Sequence, residues 1–466
     1  MVTNFVPLRC RSNYSLLHGA STVDALLDRA AREGMGALGL AELGGLYGAI
    51  EFYIKAKDHN IKPLIGLEFD TEAGKIIFIT KDITGYGSLC RLSTIEKLHE
   101  KTISLEDIVA HHKGLIAIAL DAFYIDILKE VFADDFYYGL TYFGDIVSRI
   151  RIQRALRDIG KHNPQLVAAN PVTFVDKDEY PTHRILRAIG EIVPIDRLTD
   201  DKTETPGAWF RSKRESLALF SEFPEAIGAT MEIAEKCDLE VPVGRLNFPS
   251  YENKTSKTNA RLLYELSFDG LNKRYTKLTG EAISRLEFEL NVIERAGFTD
   301  YFLIVRDIID YCQRNGIQCV GRGSAASSIV SYCLGITEVC PIEQDLYFQR
   351  FLNEARTDPP DIDIDLCWKS RDEVLEFVYE KYGRDRVAMI CTSNRFAIRG
   401  SIREVAKAFG LSGDEISDFT KRLPWSGSSE NIEYRVKNSP ECAHLPIYTE
   451  PYKSIIKIAR KIEGYP

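Results

Sequence analysis

Two stretches of the chain carry most of the information about its fold and function: 317–337 (IQCVGRGSAASSIVSYCLGIT) and 361–366 (DIDIDL). The first predicts a short apolar strand at 317–320, a glycine-rich turn at 321–324 and a small-residue helix at 325–334. Glycines let a backbone approach a ligand closely, and the free N–H groups at a helix start favour an anion. The first stretch therefore predicts a phosphate-binding turn.

The second stretch alternates aspartate with aliphatic residues. Successive side chains of a strand point to opposite faces, so Asp361, Asp363 and Asp365 are expected to share one face. A row of carboxylates is unfavourable unless cations neutralise it, and oxygen ligands of this kind suit Mg²⁺. Each motif alone is weak, because ordinary turns and exposed strand edges look similar. Together, and in this order, they predict phosphoryl or nucleotidyl transfer.

The glycine-rich turn differs from the two common nucleotide-binding loops. No Lys-Ser or Lys-Thr follows the glycines, as the Walker pattern requires, and the spacing G-x-G-x-x-G is not met. The function must therefore be inferred from the longer motifs around the turn.

Three longer motifs resemble a known family: VGRGSAASSIVSYCLGIT, FQRFLNEARTDPPDIDIDL and RDEVLEFVYEKYGRDRV. They resemble the palm of the bacterial C-family DNA polymerase III alpha subunits, and RTDPPDIDID and KIEGYP look closer to the error-prone branch. The resemblance implies a polymerase-beta-like nucleotidyltransferase palm, with Asp361 and Asp363 catalytic and holding two Mg²⁺ ions. It does not imply a ligand role for Asp365. The implied nucleotide-binding residues are Arg322, Gly323, Ser324, Arg350 and Arg356.

Composition limits the other function classes. The chain has 466 residues, which predicts two to four domains, and a net charge of −9, so any nucleic-acid surface must be a local basic patch. Its ten cysteines include no C-x-x-C pair, which fits a reducing cytosol. Neither a signal peptide nor an apolar run of membrane-spanning length is present in the sequence, so no membrane partner is expected.

The first half of the chain alternates strand and helix patterns. This alternation predicts an α/β fold of parallel strands and crossover helices closed into a barrel, whose functional side chains lie at the carboxyl ends of the strands. Helices are expected at 23–33 and 47–59. Strands are expected at 5–8, 37–40, 64–69, 75–80, 115–120, 137–142 and 166–169.

The barrel segment resembles the PHP domain (polymerase and histidinol phosphatase) that opens this family, through NYSLLHGAS, GLYGAIEFYIKAK and IKPLIGLEF. The metal-ligand positions depart from the family: Arg9-Cys10-Arg11 replaces His-x-His, Glu42-Leu43 replaces Asp-His, and Pro171-Val172-Thr173 replaces Asp-x-His. Glu68 is retained. A guanidinium group is always protonated and cannot bind a metal, so no metal is expected in a structural PHP-like domain. We expect Arg9 and Arg11 to pair with Glu42 and Glu68.

A basic stripe follows the palm motifs. Arg395, Arg399, Arg403 and Lys407 are spaced four residues apart, so in a helix they would share one face. A solvated amphipathic face has the same pattern, but the single sign of charge favours contact with a DNA backbone. The polar stretch 241–259 is expected to join domains, and by resemblance the last part of the chain is a partial helical thumb.

These observations predict a PHP-like domain at 1–235, a partial palm at 236–392 and a partial thumb at 393–466. The expected function is DNA-directed DNA synthesis in replication or error-prone repair. Expected partners are primer–template DNA, deoxynucleoside triphosphates and other subunits bound through regions outside this sequence, in the bacterial cytoplasm at the nucleoid. A non-catalytic DNA-binding or assembly fragment, or a PHP-type phosphoesterase, remains the alternative.

The resemblance also bears on the activity of this chain by itself. Family members hold their metals with three aspartates, the third on a palm strand that returns after the thumb. Asp365 is a poor substitute, since it lies two residues, about 7 Å, along the strand from Asp363. The 466-residue chain is therefore expected to be inactive alone.

Overall fold

The computed structural model describes residues 4–245, 247–352, 360–421 and 445–466. The chain forms two compact units. The first consists of Met1–Val241 together with Ser393–Pro466, and the second consists of Pro242–Thr392.

A six-stranded sheet, in the order β1 to β6, forms the centre of the first unit. Strands β1 and β2 pair in parallel, as do β4, β5 and β6. All six contain the apolar residues expected from the sequence. The strands are β1 (Ala37–Leu43), β2 (Lys62–Thr71), β3 (Gly74–Thr80), β4 (Leu115–Ala119), β5 (Phe136–Leu140) and β6 (Gln165–Ala168).

The expectation that all strands are parallel is wrong for β3, which pairs antiparallel with both β2 and β4. Only Glu72 and Ala73 connect β2 to β3. A connection of two residues can join antiparallel neighbours, whereas a parallel pair requires a crossover of a dozen or more. The loop length therefore forces the reversal.

The segment that precedes α1 closes this sheet. The N–H of Cys10 donates to Gly39 O at 3.0 Å beside β1, and the N–H of Arg11 donates to Val172 O at 2.8 Å beyond β6. Gly39 is required there, because a Cβ atom would lie 2.6 Å from Leu8 O. With both edges bridged to one segment, the six strands curl into a half-barrel, which agrees with the predicted PHP-like fold. The segment is bridged at Cys10 rather than forming the regular strand expected at 5–8.

Both faces of the barrel wall are buried. Along β3, Ile77 and Ile79 belong to the interior cluster, while Ile76 and Phe78 pack under the surrounding helices. Burial on both faces explains why the strands are continuous apolar runs. The surrounding helices are α1 (Val23–Arg32), α2 (Ala49–Asp58), α3 (Ile83–Leu98), α4 (Leu105–Ala110), α5 (Ile125–Phe132), α6 (Ile146–Ile159), α7 (Tyr180–Glu191), α8 (Lys213–Leu219) and α9 (Pro224–Lys236).

The second unit packs helices around a two-stranded antiparallel sheet, β7 and β8. Phe302 and Leu303 of its third helix are fully buried in this core. The elements are α10 (Asn259–Arg274), α11 (Gly280–Arg295), α12 (Thr299–Arg314), β7 (Cys319–Arg322), α13 (Ile329–Cys333), β8 (Asp363–Leu366) and α14 (Arg371–Tyr382).

The C-terminal segment belongs to the first unit. Ile402 of α15, Ile455 of α17 and Leu186 of α7 share one buried cluster, and the Tyr465 hydroxyl donates to Ala20 O at 2.8 Å. Assignment of this segment to a thumb, like the other predicted domain boundaries, stays a prediction. Its helices are α15 (Ile398–Ala408), α16 (Gly413–Lys421) and α17 (Tyr452–Ile462).

Candidate functional site

The register of β7 and β8 places charged side chains on one side of the second unit's sheet. Arg322 is opposite Asp363, and Val320 is opposite Asp365. Opposite residues of an antiparallel pair point to the same face, so Arg322 and both aspartates lie together, while Ile364 packs on the core. The alternation predicted for 361–366 is confirmed over β8. We call this side, together with the preceding Asp361, the acid face.

Arg322 neutralises part of the acid face. Its Nη1 lies 3.2 Å from Asp363 Oδ2, and its Nε donates to Asp365 Oδ1 at 2.9 Å. The hydrogen bond that Arg322 donates to Asp365, together with the negative charges of Asp365 and Asp363, raises the pKa of Arg322 further above its ordinary value. The three side chains are between 44% and 60% exposed, so water and salt screen these pairs strongly. The guanidinium is therefore an exchangeable counter-charge.

Asp361 lies just before β8 and is exposed. The backbone between the first two aspartates is fixed by Tyr301 of α12, whose hydroxyl oxygen accepts the Ile362 N–H at 2.9 Å. Burial raises the pKa of Tyr301, and the charges of Asp361 and Asp363 add to this. No sequence motif marks this tyrosine, because its contact joins residues sixty positions apart in the chain. Oxygen donors at Asp361 and Asp363 fit Mg²⁺, which commonly binds proteins through one or two carboxylates.

The glycine-rich turn also meets the acid face. Gly323 has φ +74°, a conformation that favours glycine, and a Cβ atom there would lie 3.1 Å from Asp363 Oδ2, closer than ordinary van der Waals contact. We call the short 3-10 segment Gly323–Ser327 the Gly323 turn. Ser324 is half-buried within it.

The helix expected at 325–334 is wrong in its length. The structure has the Gly323 turn followed by α13, which contains five residues and is capped by Ser328. The small side chains that favour close packing also favour tight turns, and the helix begins only where Ser328 can accept the Ser331 N–H. A helix this short adds little dipole, so the expected anion site at its start is not supported.

For the two remaining residues that were predicted to bind the nucleotide, the structure gives little information about a role. Arg350 is exposed at the end of the short 3-10 segment Phe348–Arg350. Arg356 lies outside the described residues. The contacts that the structure does show bring together Arg322, Gly323 and Asp363.

The mouth of the barrel carries a second, buried group of charges, in the first unit. Arg9 donates to both oxygens of Glu68 at 2.7 Å, and Arg11 donates to Glu68 Oε2 at 2.7 Å. Burial disfavours the charged carboxylate, but Arg11 and Arg9 outweigh it and hold the pKa of Glu68 well below its ordinary value. The expected pairing of both arginines with Glu68 is confirmed.

The expected pairing with Glu42 is wrong. Its carboxylate accepts hydrogen bonds from the Ser12 N–H and from the hydroxyls of Ser12 and Ser15. Burial raises the pKa of Glu42 to about 7. The second partner of Arg11 is Glu204, which the sequence analysis missed because it lies in a loop far along the chain.

His183 positions this missed partner. Its Nε2 accepts the Glu204 N–H at 2.9 Å, and its Nδ1 lies 2.8 Å from His18 O. Because Nε2 accepts, Nδ1 carries the proton, and burial lowers the pKa of His183 to about 4. Both ring nitrogens are therefore occupied, which agrees with a core rather than a metal-binding histidine.

The other positions of the degenerate PHP-like site surround the same mouth. A cavity of about 750 Å³ is lined by Arg9, Arg11 and Leu43, and Pro171 lines a neighbouring cavity that also touches Arg9. Thr173 is fully buried, and its N–H donates to Ala208 O at 2.9 Å. In the described part of the chain, no three His, Cys, Asp or Glu side chains converge as a metal cluster.

The basic stripe is shorter than predicted. Helix α15 begins at Ile398, so Arg395 lies outside it and instead donates to Tyr14 Oη at 2.7 Å and Gly464 O at 3.1 Å. Extended backbone at Ala397 ends the periodicity that the four-residue spacing assumed. The stripe on the helix consists of Arg399, Arg403 and Lys407, of which Lys407 pairs with Glu404 at 2.7 Å.

Two protein-family models match parts of the chain. The model "PHP domain" matches residues 7–138, and the model "Bacterial DNA polymerase III alpha NTPase domain" matches residues 261–466. The second match includes the acid face and the Gly323 turn.

Curated relatives match over the whole chain. The sequence is 33% identical to the DNA polymerase III subunit alpha of Bacillus subtilis, over 99% of this chain and 44% of that protein. The chain is related to bacterial DNA polymerase III alpha subunits. It is also 31% identical to the error-prone DNA polymerase of Symbiobacterium thermophilum, over 99% of this chain and 46% of that protein. Because the two identities are similar, placement in the error-prone branch stays a prediction.

This alpha-subunit-like chain spans less than half the length of these relatives. Among the helices that the structure describes, none is both long enough and apolar enough to cross a membrane.

Proposed function

We propose that this chain is part of a DNA-directed DNA polymerase, and that its acid face and Gly323 turn bind Mg²⁺ and a deoxynucleoside triphosphate for transfer to a primer 3′-hydroxyl. One observation supports this most directly. The carboxylates of β8, the guanidinium of Arg322 and the close approach of Gly323 to Asp363 all lie on one exposed face. Metal-binding oxygens and a backbone open to phosphate are what phosphoryl transfer needs.

The roles of the residues follow from their chemistry. Asp361 and Asp363 would hold the metal ions, which when bound lower the pKa of the primer hydroxyl and stabilise the leaving pyrophosphate. Arg322 would then exchange its weak contacts with the aspartates for the triphosphate, since guanidinium binds phosphate oxygens well. Ser324 and Gly323 contribute the adjoining turn, and Arg350 and Arg356 are assigned to the same nucleotide.

The test compares aspartates on the same face. Asp361→Ala or Asp363→Ala should abolish Mg²⁺-dependent nucleotide binding to this chain, while Asp365→Ala, which lacks an assigned metal role, should retain it. Binding is measured by titration of a fluorescent deoxynucleotide with and without Mg²⁺, and folding by circular dichroism. Unchanged Mg²⁺-dependent binding in Asp363→Ala would contradict the proposal.

We further propose that the chain alone binds nucleotide weakly and does not extend a primer. In the part of the chain that the structure describes, β7 and β8 form a two-stranded sheet, and no third strand brings another carboxylate to the acid face. A primer-extension assay on the 466-residue chain, with a full-length relative as the positive control, tests this. Robust extension that disappears in Asp363→Ala would show that two carboxylates suffice.

The basic face of α15 is proposed to contact the phosphate backbone of primer–template DNA. Arg403 and Lys407 are both exposed and share one side of the helix. In each single alanine variant, the slope of log K against log salt should fall by about one, as expected for one lost phosphate contact. Arg395→Ala serves as the comparison, because this residue is engaged by Tyr14. Identical slopes in all variants would remove α15 from the DNA surface.

The PHP-like barrel is proposed to be structural and to bind no metal. Arg9 and Arg11 occupy positions that bind metal in the family and are held by Glu68, which disfavours the phosphoesterase alternative. Family membership also supports contact with other replication or repair subunits, and a cytoplasmic location at the nucleoid.

A further inference from the structure

A buried carboxylate lies at the start of α13, directly after the Gly323 turn. Glu289 of α11 is fully buried, and its Oε2 accepts the Ser328 hydroxyl at 2.7 Å and the Val330 N–H at 3.3 Å. Its Oε1 accepts from Nε of Arg285, one turn earlier, at 3.1 Å. A fully buried carboxyl group is rare unless hydrogen-bonding partners satisfy its oxygens.

Each of these hydrogen bonds has a fixed direction. The Ser328 hydroxyl accepts the Ser331 N–H at 3.2 Å, which caps α13, and donates its own proton to Glu289 Oε2. Arg285 and the Val330 N–H can only donate. Because the three groups that hydrogen-bond to Glu289 all donate to it, the site suits an acceptor such as a carboxylate better than a side chain that itself donates.

Arg285 extends this attachment to the end of the Gly323 turn. Its Nη2 donates to Ser327 O at 2.9 Å and to Leu346 O at 2.6 Å. Helix α11 therefore holds the chain at three successive points, Ser327, Ser328 and Val330. At its other end the turn is held by the pairing of β7 with β8.

Burial and hydrogen bonding oppose one another at this carboxylate. Burial raises the pKa of Glu289 to about 7, while the donors Ser328, Arg285 and Val330 limit the rise. The negative charge of Glu289 also adds to the burial that raises the pKa of the Cys333 thiol of α13.

We propose that Glu289 is a positioning residue for the nucleotide site: with Arg285 it fixes the Gly323 turn so that Gly323 and Ser324 face the aspartates of β8. This inference rests on the proposed function for its ligand, a deoxynucleoside triphosphate. The placement of the turn itself is independent of that ligand. Glu289 contacts no substrate and acts only through the turn.

The test is Glu289→Gln, which keeps the shape of the side chain but replaces one acceptor oxygen by an NH₂ donor that faces other donors. Glu287→Gln, the same change at an exposed site of the same helix, is the matched control. Ser328→Ala is the second variant, used if Glu289→Gln does not fold. The measurements are hydrogen exchange of peptides covering 319–334 and 299–314, and the Kd of a fluorescent deoxynucleotide with Mg²⁺.

Faster exchange confined to 319–334, by about tenfold or more, with a comparable rise in Kd, is expected for Glu289→Gln and not for Glu287→Gln. Equal acceleration in 299–314 would indicate a merely structural role and overturn the inference. An unchanged Kd or an unchanged turn would also overturn it. If the wild type binds no nucleotide while the turn still loosens, the proposed function fails and the positioning of the turn stands.

Discussion

The acid face and the barrel mouth both pair arginines with carboxylates, but they differ in exposure. On the acid face, Arg322 is 60% exposed and reaches Asp363 and Asp365 with one guanidinium. At the barrel mouth, Arg11 is 2% exposed and is held between Glu68 and Glu204. The same two chemical groups therefore act in environments of very different polarity.

This difference in exposure is what the proposed function requires of a binding site on the acid face and of a structural element at the barrel mouth. Water screens the exposed pairs, so replacing either partner by a metal ion or a phosphate costs little free energy. The buried pairs are desolvated, so removing one partner leaves a charge without compensation. At the barrel mouth, Glu68 and Glu204 already compensate the charges of Arg9 and Arg11 from within the chain.

The largest expected effect is on stability. Arg11→Ala should lower the free energy of unfolding of the first unit by about 3–5 kcal/mol, because Glu68 and Glu204 lose a buried counter-charge. Arg322→Ala is the matched exposed change and should leave the melting temperature of the second unit unchanged. Thermal and denaturant unfolding measure both. Similar losses of stability in Arg11→Ala and Arg322→Ala would show that exposure does not distinguish the two sets of ion pairs.

A smaller effect concerns a buried carboxyl without an arginine partner. Burial raises the pKa of Glu42 to about 7 from an ordinary 4.5, so between these values the folded chain binds a proton that the unfolded chain has released. Stability should therefore fall as pH rises through this window, by at most about 1.4 kcal/mol per pH unit.

Glu42→Gln should remove that contribution. Denaturant unfolding from about pH 5 to pH 7 gives the two profiles, and the quantity of interest is the difference between them. Profiles that stay parallel would show that the hydrogen bonds from Ser12 and Ser15 offset burial completely.

A still smaller effect is expected on the exposed side. Arg322→Ala removes a cation that competes for Asp363, so affinity for Mg²⁺ alone should rise by a few-fold, as expected for a screened surface pair. Affinity for the nucleotide should fall in the same variant, because a phosphate partner is lost. Calorimetric titrations give both values. If both affinities fall, Arg322 is supporting the aspartates rather than competing for them.

The last prediction is that no measurable metal binds at the barrel mouth. Chain incubated with Zn²⁺ or Mn²⁺ and then dialysed should retain no stoichiometric metal there, because Arg9 and Arg11 fill the ligand positions. Elemental analysis of the wild type and of Asp363→Ala separates any ion held by the acid face. Stoichiometric metal that persists in Asp363→Ala would refute a metal-free barrel.

Much of the local structure could be predicted from the sequence. The alternation of DIDIDL puts aspartates on one face because strands have a period of two, and β8 shows this arrangement. The apolar runs predicted the positions of the six sheet strands within a few residues. The substitutions at Arg9 and Arg11 likewise predicted their pairing with Glu68, because oppositely charged groups at one mouth must neutralise each other when buried.

Tertiary contacts decided the partners that no local pattern specifies. Glu204 reaches Arg11 because His183 holds its loop, Tyr301 fixes the backbone of Ile362, and Glu289 lies under Ser328. Each pair joins residues from separate elements, so its geometry depends on how whole helices and strands pack. Sequence periodicity reports which face of an element is buried. Only the folded chain determines which donor meets which acceptor there, because that depends on distances set by packing across the core.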